Sequence, residues 1–539
     1  MDGYSGKDDY SSSPGLNHQD DLAIYPRHTA PVERRNDSLS ILISGTPAGV
    51  NPLQLSPNNS TLESKTYGEF FDKTLTEDIL ETDKSEKFPQ KSEAQEDRIK
   101  GLEAFNEPDP VINPITRFAT WFTPYRKIFF LVVVLNLVGC ILELTGVWKW
   151  ATKNLTPLVV GNVLIAILIR NEWFVRFLYW CAVKVFRPAI FPVWLRAKVV
   201  GILYHIGGLH SGCGFSALLW ILVSSIRHFS NVKIYHPAVL TSLAICVVCI
   251  LFTCVAAFPV FRGPHHNLFE QIHRFVGWAG LISTFLFILF SSAWDENLNR
   301  WNLSSERLIF HPELWFIVTI FALIISSWIT TANVPVKIRT SSDKASVIRL
   351  PGGLTSGVHT RISKGGLQEW HIFGSISEGK SADCHYIVAA VQGEFTRMLN
   401  VEKPQELYTK TWKPCGLPYF SRMFHKGVAI CTGSGIGAVG STCIQHDDWF
   451  LVWIGPDLEK TYGKEIMDLI TSKITPERRL IWDTRSSLGR PNVVKLLRHI
   501  YKTWNAEVAL FIGSPALNKQ VLQTSRALKL PVFGSIWDA

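Results

Sequence analysis

The sequence predicts a multi-pass α-helical membrane domain of about six spans, followed by a β-barrel-like module and a doubly wound α/β domain. Three observations point there. Of 539 residues 47% are hydrophobic and 18% charged, with 19 Trp and 32 Phe, a balance that suggests part of the surface faces lipid. Apolar stretches long enough to cross roughly 30 Å of hydrocarbon recur between residues 128 and 330. Beyond 335 the pattern turns to β-branched alternation, and then to strand-like runs separated by helical ones. Collagen-like, wholly disordered and disulfide-stapled classes are excluded. Ten Cys are spread thinly, and six of them (Cys140, Cys181, Cys213, Cys246, Cys249 and Cys254) lie in apolar or membrane-proximal runs, where a thiol is a small hydrophobe.

Residues 1–115 are rich in Ser, Asp, Asn, Glu, Lys and Pro, lack hydrophobic periodicity and read as a disordered tail. Its opening, MDGYSGKDDYSSS, cannot serve as the apolar core of a signal peptide. The membrane domain, 116–334, contains candidate spans near 128–148, 157–180, 199–224, 237–260, 275–293 and 312–331. The second is interrupted by Arg170, Asn171 and Glu172, which permits a shorter span followed by an interfacial aromatic segment. Arg117, Arg126, Lys127, Arg176, Lys184, Arg187, Arg196, Lys198, Arg262, Arg274, Lys337 and Arg339 flank one set of span ends, which should therefore be cytosolic, with both termini. The triplets at Asn154 and Asn302 fall on the opposite face, compatible with a glycosylated lumenal or extracellular side. Residues 335–422 read as the β-rich module and 423–539 as the α/β domain. The net charge of +9 concentrates at the inner membrane face, where anionic lipid is the expected partner; nucleic acid is not indicated.

Candidate chemistry begins with histidines. His205 and His210 lie early in the third span, His266 and His273 at the entry to the fifth, so both pairs come to one leaflet. Two imidazoles from different helices at one depth are what axial ligation of a haem requires. At 100° per residue His205 and His210 diverge by about 140°, so at most one of them faces the fifth span. Glycines 201, 207, 208, 212 and 214 would admit a flat macrocycle. The same residues equally suit interfacial histidines and close helix packing. The second candidate is Ala429-Ile-Cys-Thr-Gly-Ser-Gly-Ile-Gly437, a glycine-rich turn after a strand and before a helix, whose free amides and helix start can meet a pyrophosphate.

This arrangement resembles the ferric reductases and NADPH oxidases: a six-span haem-binding domain, a ferredoxin-reductase-like FAD barrel and a nicotinamide-nucleotide domain. The resemblance covers about 120–539. The runs around Gly207-Gly-Leu-His210 and His266-Asn-Leu-Phe-Glu-Gln-Ile-His273 are most similar to the fungal TmpA-type integral membrane flavoproteins. It implies FAD, NAD(P)H and one haem b as cofactors. Glu369-Trp-His-Ile-Phe-Gly-Ser375 resembles the family's His-Pro-Phe-Thr segment, which would place His371 and Phe373 against the flavin, with Thr360 and Arg361 on the preceding strand. Gly416 and Tyr419 match the Gly-Pro-Tyr-Gly turn; Thr432, Gly433, Gly435 and Gly437 match the phosphate loop; Arg490 matches the arginine that meets the nucleotide phosphate. Gly513 stands in the place of Cys-Gly-Pro, and Trp537 would cover an isoalloxazine or nicotinamide face.

The chain departs from the pattern in ways that bear on activity. Ile372 replaces the family's Pro, Gly374 its Thr and Ala438 the Pro of the phosphate loop, while the thiol near the nicotinamide is missing around Ile512. A second His pair about 13 residues deeper is absent: the third span offers Leu218, Leu219, Val223 and Ser224 there, and the fifth Leu286 and Phe287. The expected function is thus a membrane flavoprotein oxidoreductase passing electrons from NAD(P)H through FAD to a membrane haem or membrane-associated acceptor. The alternative is a weak or inactive reductase-fold protein that acts in signalling or developmental regulation. A transporter is disfavoured because no paired acidic residues stand at mid-membrane.

Overall fold

The computed structural model describes residues 93–105, 107–302, 309–365 and 367–536. The tail up to residue 92, the residues after Asn302 in its triplet, and Trp537 lie outside the described residues.

Helices α1 (Glu93–Ala104) and α2 (Pro114–Trp121) precede the bundle. The first falls inside the segment read from sequence as a tail; Ile99 and Leu102 are buried with the core of the α/β domain. The bundle follows as α3 (Pro124–Leu144), α4 (Leu155–Leu168), α5 (Glu172–Phe186), α6 (Val193–Tyr204), α7 (Gly207–Phe229) and α8 (Pro237–Ala256). After it come α9 (His266–Gln271), a π-turn at Ile272–Val276, α10 (Gly277–Ala293) and α11 (Pro312–Ile329). Proline in the first turn starts α2, α3, α8 and α11, where its missing N–H costs nothing; Asn113, Thr123 and His236 cap the first three of these.

Among the described residues five helices are long and apolar enough to cross a membrane, taking α9 through α10 as one, and the second candidate span is a pair bent by 68°. Asn171 makes the bend. Its Oδ1 caps α5 by accepting from Trp173 and Phe174 N–H, while its Nδ2 donates to Leu323 O and Ser326 Oγ on α11. The 14 residues of α4 reach only about 21 Å. The helix Pro515–Ala527 of the α/β domain packs on α2, and α11 runs directly into the β-rich module. Counting the bent pair as one element brings the candidate spans to six. Asn136 joins α3, α4 and α7 at mid-bundle, accepting from Asn162 Nδ2 (3.1 Å) and Trp220 Nε1 (2.8 Å).

The β-rich module is a curled seven-stranded antiparallel sheet of β1 (Thr331–Pro335), β2 (Lys337–Ser342), β3 (Ala345–Pro351), β4 (His359–Ser363), β5 (His371–Ile376), β6 (Cys384–Ala390) and β7 (Glu406–Lys410), with α12 (Glu394–Glu402) before the last strand. Their order is β1-β7-β4-β5-β6-β3-β2. The α/β domain holds β8 (Gly427–Thr432), α13 (Ile436–Gln445), β9 (Trp449–Gly455), α14 (Leu458–Tyr462), α15 (Lys464–Lys473), β10 (Arg479–Asp483), α16 (Val493–Thr503), β11 (Val508–Ile512), α17 (Pro515–Ala527) and β12 (Val532–Gly534). The strands are all parallel, in the order β10-β9-β8-β11-β12. A curled antiparallel sheet leading into such a parallel sheet is the ferredoxin-reductase-like fold. β8 and β9 are buried almost throughout, as the strands of a sheet covered on both faces must be.

Candidate functional site

The chain leaves β8 to one side for β9 and β10 and returns on the other for β11 and β12, so the strand order reverses between β8 and β11. In open α/β sheets the crevice beyond the carboxyl ends at such a reversal is where ligands bind. The glycine-rich turn sits there. Gly433 has φ +56, a left-handed conformation that favours glycine, and its carbonyl accepts from Trp453 Nε1 at 2.9 Å. A Cβ on Gly435 would stand 2.9 Å from Ile512 O, and one on Gly513 would stand 3.0 Å from Thr432 Oγ1. Thr432, Gly433, Gly435 and Gly513 therefore converge at the reversal, with α13 opening immediately after. Arg490 is exposed on the loop after β10, at the same edge of the sheet. Gly437 lies deeper, where its Cβ would approach Gly374 O and Val388.

That contact fixes what position 374 can hold. A Cβ on Gly374 would collide with the backbone of Ala438 and Gly437, so threonine is excluded because β5 lies directly on the start of α13. On the same strand His371 stacks on Phe395 of α12 (centroids 4.0 Å apart, 22° between planes) and lies 3.4 Å from Glu369. Phe373 is half-buried and pairs with Thr360. Behind them Thr360 Oγ1 meets Ser375 Oγ at 2.8 Å and His385 Nε2 at 3.0 Å, while His385 Nδ1 lies 2.6 Å from Gly352 O. Burial pushes the His385 imidazole down to about 3 and that of His359 to about 4. The His359 ring fills the space that a side chain on Gly416 would need. Gly416 and Tyr419 lie in the seam with the bundle: Tyr419 is buried between Tyr179 of α5 (6.5 Å) and the Arg422 guanidinium (4.6 Å).

Of the four candidate ligand histidines, the structure brings two together. The rings of His210 and His273 face each other across α7 and the π-turn, with centroids 6.0 Å apart and planes at 63°. At this separation both imidazoles would be within reach of one metal ion held between them. His210 Nδ1 is held by Ala166 O at 2.9 Å, leaving Nε2 free, the arrangement usual for a metal-bound histidine. His205 and His266 do not join them. His205 sits at the break between α6 and α7 with Nδ1 on Gly201 O, and His266 is exposed beside Glu270 at 3.5 Å.

The glycines divide in the same way. Added Cβ atoms on Gly208 and Gly212 would strike Tyr125 O and Val132 of α3, so these two serve helix packing. Those on Gly214 and Gly277 would meet nothing within 4 Å. Each stands four residues after a facing histidine, one turn deeper on the same stripe, and together they leave open space on the two helices. Sequence reasoning noted Gly214 and missed Gly277, although the matching four-residue offset was readable. At the depth of a second pair, Phe287 is buried against His228 (5.6 Å), and His228 is fixed by Ser224 O at 2.8 Å and by Tyr235 (4.5 Å). That end of the bundle is filled by side chains.

A family model, the C-terminal domain of Adenylate-forming reductase 03009, matches residues 417–539. Adenylate-forming reductase 03009 of Coprinopsis cinerea is 26% identical over 475 residues, 86% of this chain and 45% of the relative. Adenylate-forming reductase 06235 of the same organism is 27% identical over 430 residues, 78% of this chain and 40% of the relative. The chain thus spans less than half the length of these relatives. Among solved structures, a flavohemoglobin from Malassezia yamatoensis with bound FAD and heme aligns with 71% of this chain and 98% of its own at 10% identity and a TM-score of 0.33. The ferredoxin reductase of carbazole 1,9a-dioxygenase aligns with 38% and 69% at 13% identity and a TM-score of 0.30.

Proposed function

We propose that the chain is a membrane-held NAD(P)H-dependent flavin oxidoreductase that delivers electrons to a haem b between His210 and His273 or to an acceptor in the bilayer. The convergence of Thr432, Gly433, Gly435 and Gly513 at the strand-order reversal carries this reading. The N–H groups of the turn and the start of α13 bind the nucleotide pyrophosphate, and Arg490 offers its guanidinium fork to phosphate. His371 and Phe373 present one wall to a flavin ring. When bound, the nicotinamide and flavin supply the hydride and single-electron chemistry. The long apolar helices support a membrane location, and the basic residues at their ends support cytosolic termini.

The likeness to adenylate-forming reductases favours a second reading of the acceptor: an acyl group activated as an adenylate and then reduced. Detergent-purified protein should show flavin absorbance that bleaches when NADPH is added. Reoxidation of the NADPH-bleached flavin without an acyl adenylate supports the first reading, and reoxidation only when an acyl adenylate is added supports the second. A preparation that stays colourless with excess FAD overturns both.

The open glycines provide an independent check on the haem. Gly214→Leu and Gly277→Leu should each leave the protein folded, as judged by its detergent elution profile, while abolishing the Soret band. Gly208→Leu should instead cost about 3 kcal/mol or more of stability, because its side chain has backbone to displace. A normal Soret band in both open-site variants would remove the macrocycle from this space.

A further inference from the structure

We infer that residues 93–109 act as a positioning strap for nucleotide binding, setting the loop that carries Arg490 and tying it to the helix bundle. This rests on the nucleotide reading above. Arg490 lies on the connection between the end of β10 and the start of α16, and Asn492 caps α16 two residues later by accepting from Lys495 N–H at 3.0 Å. The strap grips the opposite end of each of those two elements.

At the start of β10, Arg98 donates to Pro476 O and Arg479 O, both at 2.9 Å, and to Glu477 O, with its guanidinium 4.6 Å from the centre of the Phe450 ring. At the end of α16, Phe105 packs edge-on to His499 at 5.3 Å, and Gly101 gives that ring room. Glu107 takes Arg498 at 2.6 Å and also Lys502, while Arg498 donates to Pro108 O at 3.0 Å. The Arg498 side chain is only 6% exposed, so removing Glu107 would leave a buried guanidinium without its carboxylate partner. Between the two grips Ile99 and Leu102 enter the same apolar cluster as Leu497 and Ile500 of α16 and Leu480 of β10.

A short connection whose two flanking elements are fixed at their far ends has few positions open to it. Just beyond the strap α2 packs on α17 and passes directly into α3. The Arg490 loop is thereby placed relative to the bundle through strap contacts, and none of the strap residues needs to touch the nucleotide. A helix with two turn-spaced apolar residues, followed by a half-exposed carboxylate on a buried arginine, is a grip that can be released and remade.

The test uses the full chain in detergent. Wild-type protein should resist trypsin at Arg98 and Lys100, and Ile99→Asp with Leu102→Asp should expose those bonds. In that double variant, and in Glu107→Lys, the dissociation constant for NADP+ and the KM for NADPH should rise at least about fivefold, with kcat and flavin content within about twofold of wild type. Combining Glu107→Lys with Arg498→Glu and Lys502→Glu should restore the affinity in part. If the trypsin-sensitive double variant binds NADP+ as tightly as wild type, the strap has no positioning role. If wild-type protein binds no NADP+, the nucleotide reading fails first and the strap's role with it.

Discussion

His210→Ala and His273→Ala, each alone, should abolish the Soret absorption of the purified protein, whereas His205→Ala and His266→Ala should leave it intact. Loss in each single variant is expected because a bis-imidazole site with one ligand gone has no replacement at hand. Beside the two rings stand the aromatic Phe269, 5.3 Å from His273, and the Arg170 guanidinium, close enough for its charge to act on both imidazoles. His205 is turned onto Gly201 O of its own helix, and His266 onto Glu270 at the surface. A Soret band that survives both His210→Ala and His273→Ala would show that the two rings meet only as packing.

The geometry behind this expectation has a specific source. His273 lies in a π-turn, and such a turn inserts a residue into the helical period and rotates everything after it. His266 and His273 therefore separate: His266 stays at the exposed helix start beside Glu270, and His273 meets His210. The ten residues from Gly427 to Ile436 behaved differently: strand, turn and helix start fall where local residue chemistry places them, because β-branched and apolar residues, then glycines, leave little choice. Between β9 and β10 the helical run is broken into α14 and α15 at Gly463, whose φ of +86 marks a stop that glycine permits but does not compel.

The strap could not be read because its helix is held by tertiary contacts. Ile99 and Leu102 form too short an apolar stripe to announce a packed helix, and their partners lie almost 400 positions away, Arg498 to Pro108 being 390 apart. The bend after α4 was half legible. Arg170, Asn171 and Glu172 signalled an interruption, but that Asn171 would both cap α5 and bind α11 required knowing where α11 lay. The exclusion of threonine at position 374 was likewise hidden, since the obstructing backbone at Gly437 and Ala438 belongs to another module.

Acid should unfold the β-rich module well before it disturbs an average domain. His385 and His359 are held neutral in the folded chain, with pKa values near 3 and 4, against about 6.5 for an exposed imidazole. As pH falls below 6.5 the unfolded chain takes up protons that the folded chain refuses, so stability is full above 6.5 and declines continuously toward pH 3. Shifts of this size correspond to about 5 and 3 kcal/mol at the acid limit, a large part of the 5–15 kcal/mol that typically stabilises a domain. The cost arises because His385 is enclosed by Thr360 and Ser375 with Lys413 nearby, and His359 by the 414–416 segment. Among the described residues no carboxylate acts on either imidazole. Tryptophan fluorescence followed from pH 7 to 3 should show the transition, and His385→Gln, which keeps a hydrogen-bonding side chain but cannot titrate, should shift its midpoint to lower pH. A midpoint that does not move in this variant, with the variant as stable as wild type at pH 7, would exclude His385 as a source of the acid lability.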